Sequence, residues 1–160
     1  MKLRTEFSIG SILLRGGLTV LALLIIYFEY GPVRNVEVDM VNMLAYGLFL
    51  PAYLVFQTIV IALLAGTPIR AIQGVYNWWF RKPCIPLLLL VAGIVLCLLS
   101  DQDGFAEYIP VAKDSEETFK EPFYPFLYAG WFTTAFALLH FYPESLARFW
   151  KKDTISWPHV

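Results

Sequence analysis

Few residues in this 160-residue chain carry reactive side chains at spacings that chemistry can use. Cys84 and Cys97 stand 13 positions apart, about 20 Å along a helix, too far to bond to each other. Neither belongs to the Cys-x-x-Cys pair of a thiol–disulfide oxidoreductase. His140 closes an apolar stretch and His159 is the penultimate residue, so they do not face each other as bis-histidine haem ligation requires. Two distant histidines without flanking acids build no metal site. Ser100 beside Asp101 and Asp103 reads as a polar helix end meeting water rather than a nucleophile with its base. Asp101, Asp103 and Glu107 lack calcium-loop spacing, and Ala106 stands where that loop needs glycine. Glu29 lies at the rim of its apolar stretch, so proton-coupled exchange lacks a buried acid. These residues predict no enzyme and no cofactor. Two polar groups lie deeper. Gln57 reads as an interhelical hydrogen bond, and His140 as a structural hydrogen bond, a proton relay or ligand role being the alternative for His140.

The elements that hold these residues are apolar. No charged residue occurs between Asp39 and Arg70, a run of 30 positions where a bilayer core needs about 20 as a helix. With 58% hydrophobic residues, 16% charged residues and a mean hydropathy of +0.60, the composition is that of an integral membrane protein. The expected fold is an all-α membrane protein: a four-transmembrane-helix bundle in one domain, 1–160, with a short interfacial helix between spans two and three. The spans fall at about 9–30, 41–66, 84–100 and 123–142. An exterior loop covers 101–122 and a cytoplasmic tail 143–160.

In chain order, 9–30 is too long for a cleaved signal's apolar core and reads as a retained signal anchor. Arg15 is expected to snorkel to the headgroups. Span two should kink at Pro51, and Tyr46, Phe49, Tyr53, Phe56, Val60 and Leu63 recur along it at spacings of three and four. In 67–83, Ile69, Ile72, Tyr76 and Trp79 share one helical face. Trp78, Trp79, Arg81 and Lys82 then mark an interfacial helix with indoles at headgroup depth. Span three, 84–100, is aliphatic and suits a lipid-facing position. Pro143 should stop span four.

Lysine and arginine asymmetry sets orientation. Lys2, Arg4, Arg15, Arg70, Arg81, Lys82, Arg148, Lys151 and Lys152 fall on one side; Arg34, Lys113 and Lys120 fall on the other with ten of the 13 acids. Both termini are therefore expected in the cytoplasm, with the chain in a bacterial inner (plasma) membrane. A net charge of −1 and the lack of a basic tract argue against nucleic acid as a partner. The expected partners are the lipid bilayer and another membrane protein or a second copy. Short length, cytoplasmic ends and little mass outside the bilayer make the organisation similar to that of the four-span immunity proteins of pore-forming colicins; the similarity is architectural and rests on no shared motif.

The expected function is that of a non-enzymatic interaction protein of the immunity or exclusion type, acting against a membrane-active toxin or mating partner. The alternatives are an accessory subunit of a larger secretion, envelope or respiratory complex, and a small oligomeric transporter or channel lined by Gln57, Thr133, Thr134 and His140. The loop 101–122 is longer than helix connections need and mixes acids with aromatics, which suit docking. The candidate partner-binding residues are Phe105, Tyr108, Phe119, Tyr124 and Tyr128 at the exterior end, with Tyr46, Tyr53 and Gln57 on span two.

Overall fold

The computed structural model describes residues 9–31, 39–110 and 118–142. The tail 143–160, with Pro143 and His159, the connection 32–38 and the loop tip 111–117 lie outside the described residues, as does the segment 1–8. The chain is mostly helical: α1 (Ile9–Tyr30), α2 (Met40–Leu44), α3 (Leu50–Ala65), α4 (Thr67–Ala71), α5 (Gln73–Arg81), α6 (Cys84–Ser100) and α7 (Tyr124–Leu139). By length and composition, two helices can each cross a membrane, Gly10–Tyr30 and the continuous run Met40–Ala65; α5 and α6, bent by 74° where they join, make a third if taken together. Taken alone, α6 and α7 have 17 and 16 residues, about 26 and 24 Å long, short of a 30 Å hydrocarbon core.

Helix α7 is the hub, packing against α6, α1 and α3. It is apolar on every side, as a helix surrounded by others must be. Small residues make its contact with α6 close. Gly93, Cys97 and Ser100 are buried on α6, and Leu127, Gly130 and Thr134 on α7. A Cβ on Gly93 would lie 2.5 Å from Thr134 Oγ1 and 3.0 Å from Gly130 O, so the two backbones run nearly in contact. This corrects the reading of 84–100 as lipid-facing: its aliphatic side looks out, but its small-residue side is covered. Ser100 is also not a water-facing helix end. It is fully buried, its hydroxyl donates to Cys97 O at 2.6 Å, and its carbonyl accepts Phe123 N–H at 2.8 Å.

Pro51 distorts its span by a different route from a simple kink. Residues Ala45–Phe49 form a π-turn between α2 and α3, in which Leu50 N–H reaches back to Ala45 O. In that register the carbonyl of Tyr46 would next be served by residue 51, and proline has no N–H to give. Tyr27 of α1 supplies the missing donor: its hydroxyl bonds Tyr46 O at 2.7 Å. One interhelical bond thus compensates the proline and ties α1 to the second helix.

Arg15 does not snorkel. It is 7% exposed, its Nε donates to Ser11 O at 3.0 Å, and its guanidinium lies 4.7 Å from the Tyr142 ring centroid, a cation–π pair at the helix interface. With Thr19, Leu23, Ile26 and Tyr27 it forms the buried stripe of α1, at helical spacings of three and four.

The loop 101–122 is not purely irregular, so the fold is not purely α. β1 (Glu107–Pro110) pairs antiparallel with β2 (Thr118–Glu121), with Tyr108 opposite Lys120 and Ile109 opposite Phe119. An aromatic facing a β-branched residue is a favourable cross-strand pair, which overcomes the like charges of Glu107 opposite Glu121.

Candidate functional site

The predicted site residues separate into three places. At the hairpin end, Phe105 packs on Phe123 and Phe126 with ring centroids 6.3 and 5.0 Å apart. Tyr124 stacks on Tyr128 at 5.7 Å and donates its hydroxyl to Glu121 at 2.8 Å. Phe119 is partly covered in the hairpin, while Phe105, Tyr108 and Tyr128 stay exposed. Lys120 organises the acids here, with Nζ 2.8 Å from Asp103 and 3.9 Å from Asp101. Tyr108 adds a hydrogen bond to Asp103 at 2.9 Å. A shallow cavity of about 190 Å³ opens between Glu107, Glu121 and the start of α7.

The hydrogen bond from Lys120, and then the one from Tyr108, holds the Asp103 carboxyl below its ordinary range. Donating those bonds raises both partners, Lys120 and Tyr108, chiefly through Asp103 itself. The carboxylate's contribution is present above its unfolded value and lost as pH falls through the depressed one; the ammonium's is present below its unfolded value and lost as pH rises through the raised one. Closure of the hairpin base therefore holds between about pH 4 and about pH 10. Lys120→Met is expected to return the Asp103 titration midpoint, followed by carboxyl NMR, toward the ordinary aspartate range. An unmoved midpoint would remove Lys120 as the cause.

The second place is the outer face of α3. Tyr53 and Gln57 are both exposed there, and Gln57 makes no hydrogen bond with another described residue. The interhelical bond expected for Gln57 is therefore absent from the described bundle, because α3 turns Val55, Thr58 and Ala62 inward instead. Thr58 takes the polar role: Trp131 Nε1 donates to its Oγ1 at 2.6 Å, and Thr58 passes its own proton to Leu54 O at 2.7 Å. Tyr46 contributes its backbone carbonyl, to Tyr27.

The third place is the opposite end of α7, where His140 is fully buried. A carbonyl only accepts, so the 2.9 Å contact of Nδ1 with Phe136 O assigns the ring proton to Nδ1. Nε2 is left without a hydrogen-bond partner and lies against Gly66, where any Cβ would overlap the ring. The His140 carbonyl accepts Trp79 Nε1 at 2.8 Å. The segment 67–83 is two short helices broken at Ile72, whose backbone is extended. Its two indoles part company: Trp78 is 50% exposed beneath Lys82 Nζ, 5.4 Å from the ring, while Trp79 is 7% exposed. Headgroup-depth placement is thus corrected for Trp79, which packs edge-on against Phe136. Arg81 and Lys82 are exposed. Ile72 also leaves the predicted apolar face; Val75 and Phe80 join Ile69, Tyr76 and Trp79 in its place.

Sequence reading missed Tyr27, Gly66, Gly93 and Tyr142, each of which acts through a partner distant in the chain. Pro51 alone signalled that some carbonyl near Tyr46 would need an outside donor. Thr133, Thr134 and His140 do not line an open path within the chain: Thr134 and His140 are buried between helices. Among the described residues no group of three or more histidine, cysteine or acidic side chains is placed to hold a metal. Comparison with protein-family models, with curated proteins and with solved structures finds no match for this chain.

Proposed function

We propose that this chain is a non-enzymatic interaction protein of a bacterial inner membrane, with four spans and both termini in the cytoplasm. In this reading α6 and α7 cross beside the two longer helices, extended at their ends by α5 and by residues 140–142. The protein recognises another membrane protein through its outward helix faces and its exterior hairpin, and its biological task is immunity or exclusion against a membrane-active toxin or a mating partner. The observation that carries the reading is the outward seam of the second helix: Phe49, Tyr53 and Phe56 are all more than 60% exposed, next to a polar Gln57. Bulky aromatics at heptad-like spacing around an amide suit a protein surface better than lipid tails. An accessory subunit would use the same seam against a resident complex.

The test challenges cells that produce the chain with pore-forming toxins and with conjugative donors. Survival or exclusion is expected to rise with the native chain. It should fall to background when residues 103–120 are replaced by a Gly/Ser linker of equal length, while reporters fused after residue 160 still report cytoplasm. A native chain that protects against neither challenge defeats the reading. Full protection by the linker variant would shift recognition from the hairpin to the α3 face.

A further inference from the structure

One side of α3 is covered and the opposite side is not. Val55, Thr58 and Ala62 are buried against α1 and α7. Half a turn around the helix, at 100° per residue, lie Tyr53, Gln57, Val60 and Leu64, all exposed, with Tyr53 at 61%, Val60 at 38% and Leu64 at 67%. Their spacings of four, three and four are those of a coiled-coil seam. The hydrogen-bonding side chain at its centre is Gln57.

The position of that amide in depth makes it unusual. Gln57 lies eight residues from the end of the run Met40–Ala65, about 12 Å along its axis. A helix of 26 residues overreaches the hydrocarbon core at both ends, so Gln57 falls inside it. Lipid tails offer an amide neither donor nor acceptor, and long side chains of this kind reach the headgroups only near helix ends. The flanking Tyr53, Val60 and Leu64 are seam residues, and a single polar residue in such a seam fixes register and copy number in coiled coils.

We propose that α3 pairs with α3 of a second copy of this chain, with Gln57 bonded to Gln57 across the two-fold axis. The argument for this occupant is complementarity. Two copies inserted the same way round are related by rotation about the membrane normal, so their α3 helices run parallel and residue 57 meets residue 57. Each amide carries one acceptor oxygen and an NH₂ donor, so the pair satisfies itself with no third group. A different partner would have to bring its own amide to the same depth. The inference rests on the span assignment for Met40–Ala65 in the proposed reading, and not on the immunity or exclusion task.

The test uses the full chain in native membranes. Single cysteines are placed at Tyr53, Gln57, Val60 and Leu64, and at the inward Thr58 and Ala62, in a Cys84→Ser background, and oxidised. Homodimer cross-links are expected at the four outward positions and not at the two inward ones. Gln57→Leu should weaken dimerisation about 3- to 30-fold, measured by dilution in lipid, the range of interhelical amide bonds. Gln57→Asn should retain it within about threefold. Both variants keep the native thermal unfolding, because residue 57 is outside the bundle. Cross-links at the inward positions, a dimer indifferent to Gln57→Leu, or cross-linking to another protein in place of a second copy would each overturn the pairing. A monomer that resists alkaline carbonate extraction overturns it too while leaving the span standing. Release of the chain by carbonate would overturn the span itself and the pairing with it.

Discussion

Trp79→Ala is expected to cost about 3–5 kcal/mol of unfolding free energy, the range for truncating a buried large aromatic. The indole is 7% exposed and does two jobs. Its ring packs against Phe136 at a centroid distance of 6.1 Å and lies among Ile69 and Tyr142, so its removal leaves a cavity where α4, α5 and the end of α7 meet. Its N–H satisfies the carbonyl of His140, 61 positions further along the chain. Trp79→Phe separates the two contributions: most of the ring stays and the donor goes, so about 1–3 kcal/mol is expected from the buried carbonyl left unpaired. Thermal unfolding in mild detergent measures both variants. Should Trp79→Ala unfold within about 1 kcal/mol of the native chain, well under that range, this indole would not be the anchor of α5. Trp78→Ala is the control, since that ring is half exposed and lies beneath a lysine.

Gly93→Ala is expected to separate α6 from α7 and to cost about 1–3 kcal/mol, the usual range for overpacking. The added methyl would lie 2.5 Å from Thr134 Oγ1, 2.9 Å from Thr134 N and 3.0 Å from Gly130 O. Two of these are backbone atoms, so rotamer changes cannot relieve the crowding. The converse change meets the same wall: a Cβ on Gly130 would lie 2.6 Å from both Cys97 Sγ and Gly93 O. The double variant Gly93→Ala/Gly130→Ala should therefore cost less than the sum of the two, because helices already moved apart for one methyl admit the second. Strict additivity in that cycle would show that the glycines do not share one contact. Within a membrane, close packing of small residues is a main source of helix association, so no hydrophobic gain offsets the loss.

His140 shows how a sequence reading can find a residue and misplace its work. An apolar stretch ending in a histidine marks a polar group to be satisfied. Only the fold shows that Nδ1 serves the helix's own last turn through Phe136 O, that the ring closes over Gly66, and that the backbone carbonyl holds Trp79. Gly66 itself looks like an ordinary helix end until the ring that lies on it is known.

Composition alone determined that this chain is helical and built for a membrane, because two uncharged or nearly uncharged stretches of more than 20 residues must bond their backbones internally in lipid. The proline at 51 and the amphipathic run 73–81 were likewise local matters, settled by a missing N–H and by helical periodicity. The proposed orientation also comes from the sequence, through the placement of its lysines and arginines. Undecided by the sequence was which side of an evenly apolar helix faces inward. With no polar stripe to orient it, α3 was free to bury Thr58 or Gln57, and packing against Trp131 of α7 selected Thr58. The same holds for Gly93, whose meaning depends on Gly130 opposite it, and for Arg15, which Tyr142 covers. The hairpin depended on pairing between segments eight or more positions apart, which neither strand shows alone. Tertiary contacts decided these because, for each residue, the partner that sets its role comes from a distant part of the chain.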